Sequence, residues 1–345
     1  MGWDDWFEQR FMAFAAQGLV PARVTADYGA EYLVHDAFES MRAVGGKHLR
    51  DDAAKQPAVG DWVGLLNRES MSVVHGIVER RTAFSRKVAG LETKEQVLAA
   101  NVDVAFVVVS AQDVNVRRVE RYVAMAWQSG AVPVVLLTKA DIASSPDELR
   151  GELEAAVAGV HVLVTSSVTG MGVEEIAAQL LPARTGVLLG PSGVGKSSLI
   201  NRLTGAELMK TRTVHRTGEG RHMTSHRNMF ELEAGGLIID TPGLREAQLW
   251  QGDGDSLSSL FEDVEKLALE CRFPDCEHHS EPGCAIKAAI ADGSLDEVRL
   301  SSYRKLQREL RLVAAKSDAR LRFDERRKWK QITVANRERE RYLRK

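Results

Sequence analysis

The 345-residue chain predicts a multi-domain protein with an N-terminal β-barrel of OB type, a central α/β domain and a mainly α C-terminal domain. Three observations predict it. Residues 18–85 alternate short β-type runs with turns, and no long helical period interrupts them. From Val102 to Gly243, continuous apolar runs alternate with amphipathic helical stretches, the signature of a mostly parallel sheet covered on both faces. Beyond about residue 255 the pattern turns helical and encloses every cysteine of the chain. The boundaries expected are 1–88 for the barrel with a short N-terminal helix, 89–254 for the α/β domain, and 255–345 for the last domain.

The opening stretch, MGWDDWFEQRFMAF, is amphipathic and acidic at its head, so it lacks the basic flank of a secretory signal. No apolar run approaches the ~18 residues of a membrane span. A soluble, cytoplasmic protein with no membrane partner follows, expected to act as a monomer. The barrel runs are GLVPARVTADYG, EYLVHD, MRAVGG, VGDWVGLL and SVVHGIVERR. The α/β alternation then places strands at VDVAFVVVS, VPVVLLT, HVLVTSS, TGVLLG and GGLIID, each followed by a helical or loop segment.

GPSGVGKS, Gly190 to Ser197, fits G-x-x-x-x-G-K-[ST] between an apolar strand and a helix, the context a phosphate loop requires. Gly190, Pro191, Ser192, Gly193, Val194, Gly195, Lys196, Ser197 and Ser198 are the residues expected around the phosphates. Glycines let backbone N–H groups turn inward, and the helix N-terminus adds partial positive charge. Lys196 is placed to reach the β- and γ-phosphates, and Ser197 to ligate Mg²⁺. The strand ending in Asp240 offers a second Mg²⁺-associated group, and Gly243 of DTPG an N–H for the γ-phosphate.

Base selection is read from TKAD, Thr138 to Asp141, at the carboxyl end of a strand, where α/β sheets bind ligands. Asp141 can accept from both N1–H and the 2-amino group of guanine, a pair adenine lacks, which argues against an ATP-using enzyme. Lys139 can lay its stem along the base plane, and Thr138 can fix the loop. Thr165, Ser166 and Ser167, again at a strand end, supply a second base-contacting loop. These parts form a guanine-nucleotide site in an unusual order, with base-reading loops first, then the phosphate loop, then DTPG. A sheet is indifferent to where its chain begins, so the domain is a circularly permuted P-loop GTPase domain.

The cysteine cluster reads CRFPDCEHHSEPGC, with Cys271, Cys276 and Cys284 joined by His278 or the adjacent His279. Three thiolates and an imidazole complete a tetrahedral Zn²⁺ shell, and an odd count argues against disulfides. A closed shell makes that zinc structural. Residues 301–345 hold 16 Lys/Arg against 6 Asp/Glu, net +10, leaving the first 300 residues at −12. A basic tail on an acidic body suits a polyanionic partner such as RNA.

GEGRHMTSHR, residues 218–227, lies between the phosphate loop and DTPG, where switch I belongs. It is similar to the G-x-G-R-H-T-T segment of the bacterial ribosome small subunit-dependent GTPase family, and the likeness extends over nearly the whole chain. The resemblance implies GTP hydrolysis to GDP, stimulated by the small (30S) ribosomal subunit, in late maturation of that subunit and in contact with its 16S rRNA. It also favours His278 as the fourth zinc ligand. Met223 stands where the family pattern has its first Thr, so Thr224 becomes the candidate Mg²⁺ ligand beside Ser197 and Asp240. Leu244 occupies the position after DxxG where many GTPases carry a water-positioning Gln, and a leucine cannot orient water. His222 is the candidate in its place, and the resemblance points to it as well. Lys196, Thr224 and His222 are thus the expected catalytic set. The competing reading is a non-catalytic RNA-binding protein with zinc and OB modules that only senses its nucleotide.

Overall fold

The computed structural model describes residues 1–50, 56–67, 71–88, 94–205, 227–240, 261–273, 276, 278, 281–295, 297, 299–301, 303, 304 and 307. It divides into two compact units, Met1–Gln248 and Leu249–Lys345.

The first unit opens with α1 (Asp5–Ala15). Asp4 caps it, accepting from the backbone N–H groups of Trp6 and Phe7 at 3.1 and 3.3 Å. Phe7 and Phe11, one turn apart, are buried against Leu19, Trp62 and Val78. Next come β1 (Val20–Asp27), β2 (Glu31–His35), β3 (Ser40–Gly45), the short α2 (Lys47–Arg50), β4 (Trp62–Leu66) and β5 (Ser72–Ile77). The pairings β1–β2, β2–β3, β3–β5, β5–β4 and β4–β1 close a five-stranded barrel, with β3–β5 the one parallel pair. Its interior alternates in the pleat, with Ala22, Val24, Val34, Ala43, Val63, Leu65 and Val74 fully buried. Gly64 and Gly76 face each other across β4 and β5, and the Phe14 ring of α1 lies over them. A Cβ on Gly76 would come within 2.5 Å of that ring, so the glycine pair is the slot that seats α1.

A two-stranded hairpin follows, β6 (Ala83–Val88) with β7 (Lys94–Ala100). The α/β part then runs β8 (Val104–Ser110), α3 (Val116–Ser129), β9 (Val132–Thr138), α4 (Pro146–Ala156), β10 (His161–Val164), α5 (Val173–Ala178), β11 (Thr185–Leu189), α6 (Lys196–Thr204), β12 (Arg227–Glu231) and β13 (Leu237–Asp240). All seven residues of β8 are buried, as a strand covered on both faces must be. α3 starts where the Asn115 side chain accepts from Arg118 N–H and stops at Gly130 in the left-handed region.

The strand order is β10-β9-β8-β11-β13-β12. β10, β9, β8, β11 and β13 are parallel, so the carboxyl ends of these strands all lie on one edge. The strand that leads into the phosphate loop is therefore central in space although late in sequence. Antiparallel β12 extends the sheet into the barrel by pairing with β1, where Arg227 and Asp27 form a half-buried ion pair at 2.8 Å. The core of this part gathers Phe106, Leu136, Ile176, Leu180, Leu199, Ile200 and Ile238. Each such side chain contributes about 1.5–3 kcal/mol on full burial.

In the second unit, α7 (Glu262–Leu269) and α8 (Ala285–Ala291) flank the Cys/His segment. Phe261 and Tyr303 pack edge to face at 5.4 Å, Tyr303 donates to Glu265 at 2.6 Å, and Arg299 pairs with Asp263. No helix among the described residues is long and apolar enough to cross a membrane.

Candidate nucleotide and metal sites

β9 ends at Thr138, which is almost fully buried. Its hydroxyl lies 2.6 Å from the Val194 carbonyl oxygen of the phosphate loop and 3.1 Å from the Val109 carbonyl of β8. Lys139 takes the left-handed conformation at φ 59°, which turns the chain into a short 3₁₀ segment, Ala140–Ile142, that presents Asp141. The Lys139 ammonium donates to Gln112 Oε1 at 3.3 Å. Behind Asp141, the loop after β10 is locked to it. Ser166 Oγ donates to Asp141 Oδ1 at 2.6 Å, while the N–H groups of Val168 and Thr169 both donate to Ser166 Oγ at 3.2 Å. Ala140 N–H donates to the Thr165 carbonyl, and Thr165 N–H to that of Leu137. Asp141 itself is exposed, Ser166 fully buried and Ser167 half-buried. A carboxylate held rigidly from behind and open in front is suited to two parallel hydrogen bonds from a planar ligand.

The phosphate loop needs its glycines. Gly190, Gly193 and Gly195 have φ of 149°, 80° and 104°, and a Cβ on Gly190 would lie 2.5 Å from the Val108 carbonyl oxygen. α6 then begins at Lys196, whose ammonium donates to the Gly190 and Pro191 carbonyl oxygens of its own loop. That placement differs from the extended reach toward phosphate expected from the motif. Ser192 and Gly193 are exposed; Ser197 and Ser198 at the helix start are half-buried. Asp240 ends β13, beside β11, so its carboxylate stands on the same edge of the sheet. A hydroxyl and a carboxylate are hard oxygen donors of the kind Mg²⁺ takes. Gly243, Leu244, His222, Met223 and Thr224 lie outside the described residues, as do His279 and all of residues 301–345 except Ser301, Tyr303, Arg304 and Gln307.

In the second unit, one ligand atom from each of Cys271, Cys276, His278 and Cys284 falls within a 4.8 Å group. Cys271 Sγ lies 3.9 Å from Cys284 Sγ, and His278 Nδ1 lies 3.6 and 3.5 Å from those two sulfurs. Tetrahedral zinc with bonds of about 2.3 Å to sulfur and about 2.05 Å to nitrogen separates its ligands by about 3.8 Å (S to S) and about 3.6 Å (S to N). The spacing fits that metal. His278 adopts φ 60° to point its ring inward, and Arg304 donates to its carbonyl at 2.6 Å. Burial would raise the Cys271 thiol pKa, yet the net direction is down. The N–H groups of Ala285 and Ile286, at the start of α8, together with the side chains of Cys284 and Cys276, outweigh burial and favour the thiolate.

Sequence patterning missed three parts of these sites. They are Gln112, which fixes the Lys139 head; the Val194 carbonyl as the partner of Thr138; and the α8 N–H groups facing Cys271. Only Gln112 leaves a trace, as a polar residue just past the end of an apolar strand.

Comparison with known proteins agrees with this geometry. The family described as RsgA GTPase matches residues 77–250. The small ribosomal subunit biogenesis GTPase RsgA of Opitutus terrae is 42% identical over 99% of this chain and 97% of its own. The protein of that name from Streptomyces avermitilis is 44% identical over 95% and 90%. Among solved structures, YjeQ from Thermotoga maritima superposes with a TM-score of 0.63 at 25% identity, covering 84% of this chain and 98% of that one. YloQ, described as a circularly permuted GTPase, shares the fold at a TM-score of 0.60 and 23% identity, over 85% and 95%. The chain thus belongs to the RsgA GTPase family, and it is a GTP hydrolase of circularly permuted fold.

Proposed function

We propose that this GTPase hydrolyses GTP to GDP when engaged by the small ribosomal subunit, as a late factor in biogenesis of that subunit. The observation that carries the reading is the interlock of its loops. Thr138 ties the guanine-reading strand to the phosphate loop, and Ser166 holds Asp141 toward the base. The partner is argued from relatives that share about two-fifths of their residues and are named for small ribosomal subunit biogenesis.

In this reading Asp141 takes the guanine edge, with Lys139 along the base and the 165–167 loop behind it. Gly190 to Ser198 surround the phosphates, and Lys196 exchanges its loop carbonyls for phosphate oxygens. Ser197, Thr224 and Asp240 would hold Mg²⁺, which supplies charge neutralisation at the phosphates when bound. Gly243 meets the γ-phosphate. Because Leu244 carries no group to orient water, His222 takes that role, and turnover stays slow until the partner orders its segment. The zinc held by Cys271, Cys276, His278 and Cys284 is structural, since four protein ligands leave no open position. The basic end of 255–345 contacts 16S rRNA through phosphates. The protein works as a monomer in the cytoplasm.

The test is GTP hydrolysis with and without purified small subunits, run beside Asp141→Asn with GTP and XTP. Strong stimulation is expected, with a swap to XTP in the variant because its amide can donate to the xanthine 2-carbonyl. Tight GTP binding without stimulation would overturn the ribosome-coupled reading in favour of a nucleotide sensor.

A further inference from the structure

We infer that this chain leaves the N7 atom of guanine unread, selecting its base on the Watson–Crick edge alone, and that Thr138 acts as a strut rather than a base contact. The inference rests on the guanine site proposed above. It follows from counting protons. A threonine hydroxyl has one proton to donate and lone pairs that only accept. Both groups within hydrogen-bond reach of Thr138 Oγ1 are carbonyl oxygens, Val194 at 2.6 Å and Val109 at 3.1 Å. Neither can donate, so the proton is committed to one of them, and the shorter distance assigns it to Val194. What remains on the oxygen is lone pairs, and guanine N7 is itself an acceptor. Two acceptors face each other without a proton between them.

Three neighbouring side-chain donors among the described residues, those of Ser166, Lys139 and Thr165, are engaged elsewhere or buried. The Ser166 hydroxyl proton lies on Asp141, 2.6 Å away. The Lys139 ammonium is turned to Gln112. The Thr165 hydroxyl has no hydrogen-bond partner in the structure, but it is fully buried and so out of reach of a ligand seated on the exposed Asp141. An asparagine at 138 would differ, because its amide carries two protons and can serve Val194 and a base nitrogen together. The strut couples the two halves of the site instead. The strand that presents Asp141 and the loop that holds the phosphates are joined at one buried hydroxyl, so a nucleotide that orders one orders the other.

The experiment compares equilibrium binding of GTP and 7-deaza-GTP, in which N7 is replaced by C–H, by the full chain with Mg²⁺ and by the Thr138→Asn variant. A neutral hydrogen bond is worth roughly two- to twelvefold in affinity. The wild-type chain is expected to bind the two nucleotides within about threefold of each other, and a larger preference for GTP would overturn the inference. The Asn variant is expected to favour GTP by more than about threefold. Equal binding there would overturn the assignment to residue 138. Failure of the wild-type chain to bind either nucleotide would instead refute the guanine site itself, and this inference with it.

Discussion

Replacing Ser166 by Ala separates orientation of Asp141 from contact with the nucleotide. The hydroxyl donates to Asp141 Oδ1 at 2.6 Å, in the range of a charge-assisted bond, and no part of Ser166 is exposed. It also accepts from the Val168 and Thr169 N–H groups, which would lose their acceptor together. A hydrogen bond to a charged group contributes about 1.5–3 kcal/mol, so folding stability should fall by about that amount. In a unit of this size the melting temperature then drops by roughly 3–12 °C. The effect on nucleotide affinity should be smaller, since the bond exists before the ligand arrives. What binding loses is the cost of fixing a freed Asp141 rotamer, about 0.5–1.5 kcal/mol, or roughly two- to twelvefold in the GDP dissociation constant. Calorimetric titration of GDP beside a thermal melt reads both numbers. A hundredfold loss of affinity would mean that Ser166 touches the nucleotide directly. No change in either quantity would mean that Asp141 is held by something else.

Two further outcomes follow from other parts of the molecule. Cys271→Ser should abolish stoichiometric zinc, measured by elemental analysis, and unfold Glu262–Ala291, because structural zinc binding supplies about 10–16 kcal/mol of apparent folding free energy. GDP binding should persist, as the base-reading and phosphate loops lie within Met1–Gln248; full zinc occupancy in the variant would refute the ligand set. Asp4 has its pKa lowered. Burial pushes upward, but the bond from Arg81 and those from the Phe7 and Trp6 N–H groups prevail. A depressed carboxylate contributes stability above its unfolded value near 3.8 and loses it as pH falls through the lower folded value. Asp4→Ala should cost about 1 kcal/mol at neutral pH, with the difference from wild type vanishing in acid; a pH-independent difference would refute the capping role.

The site was more legible in the sequence than the fold that carries it. The phosphate loop, TKAD and the cysteine cluster each concentrate their chemistry in fourteen residues or fewer, so spacing alone exposes them. The barrel showed as alternating runs, but its closure did not. The parallel β3–β5 pair and the β1–β12 pair join segments with no local signal of one another, and the Asp27–Arg227 ion pair spans 200 positions. The hairpin over Ala83–Val88 and Lys94–Ala100 escaped notice because KEQVLAA carries mixed propensities. Thr138 was readable as a loop-fixing residue, yet its partner, Val194, lies 56 residues away.

Arg23 shows best why permutation and barrel belong together. In VPARVTAD it alternates with apolar residues and reads as a solvent-facing position. It is 2% exposed instead, because the outward face of β1 is covered by the start of the α/β sheet. Its guanidinium bonds the Gly60 carbonyl in the barrel at 3.3 Å, the Asn101 carbonyl in the connection at 3.2 Å, and Thr185 Oγ1 at the head of the phosphate-loop strand at 2.8 Å. It also donates to the Met1 carbonyl. Burial pushes its pKa down to about 10, so it remains charged at neutral pH and needs every one of those acceptors. A barrel free to swing would strip a buried cation of its partners, at several kcal/mol. Together with the continuous pairing of β12 to β1, this holds the barrel rigidly on the sheet whose central strand leads to the phosphates. Through Arg23, β1, the connection at Asn101 and the N-terminus thus converge on the first residue of β11.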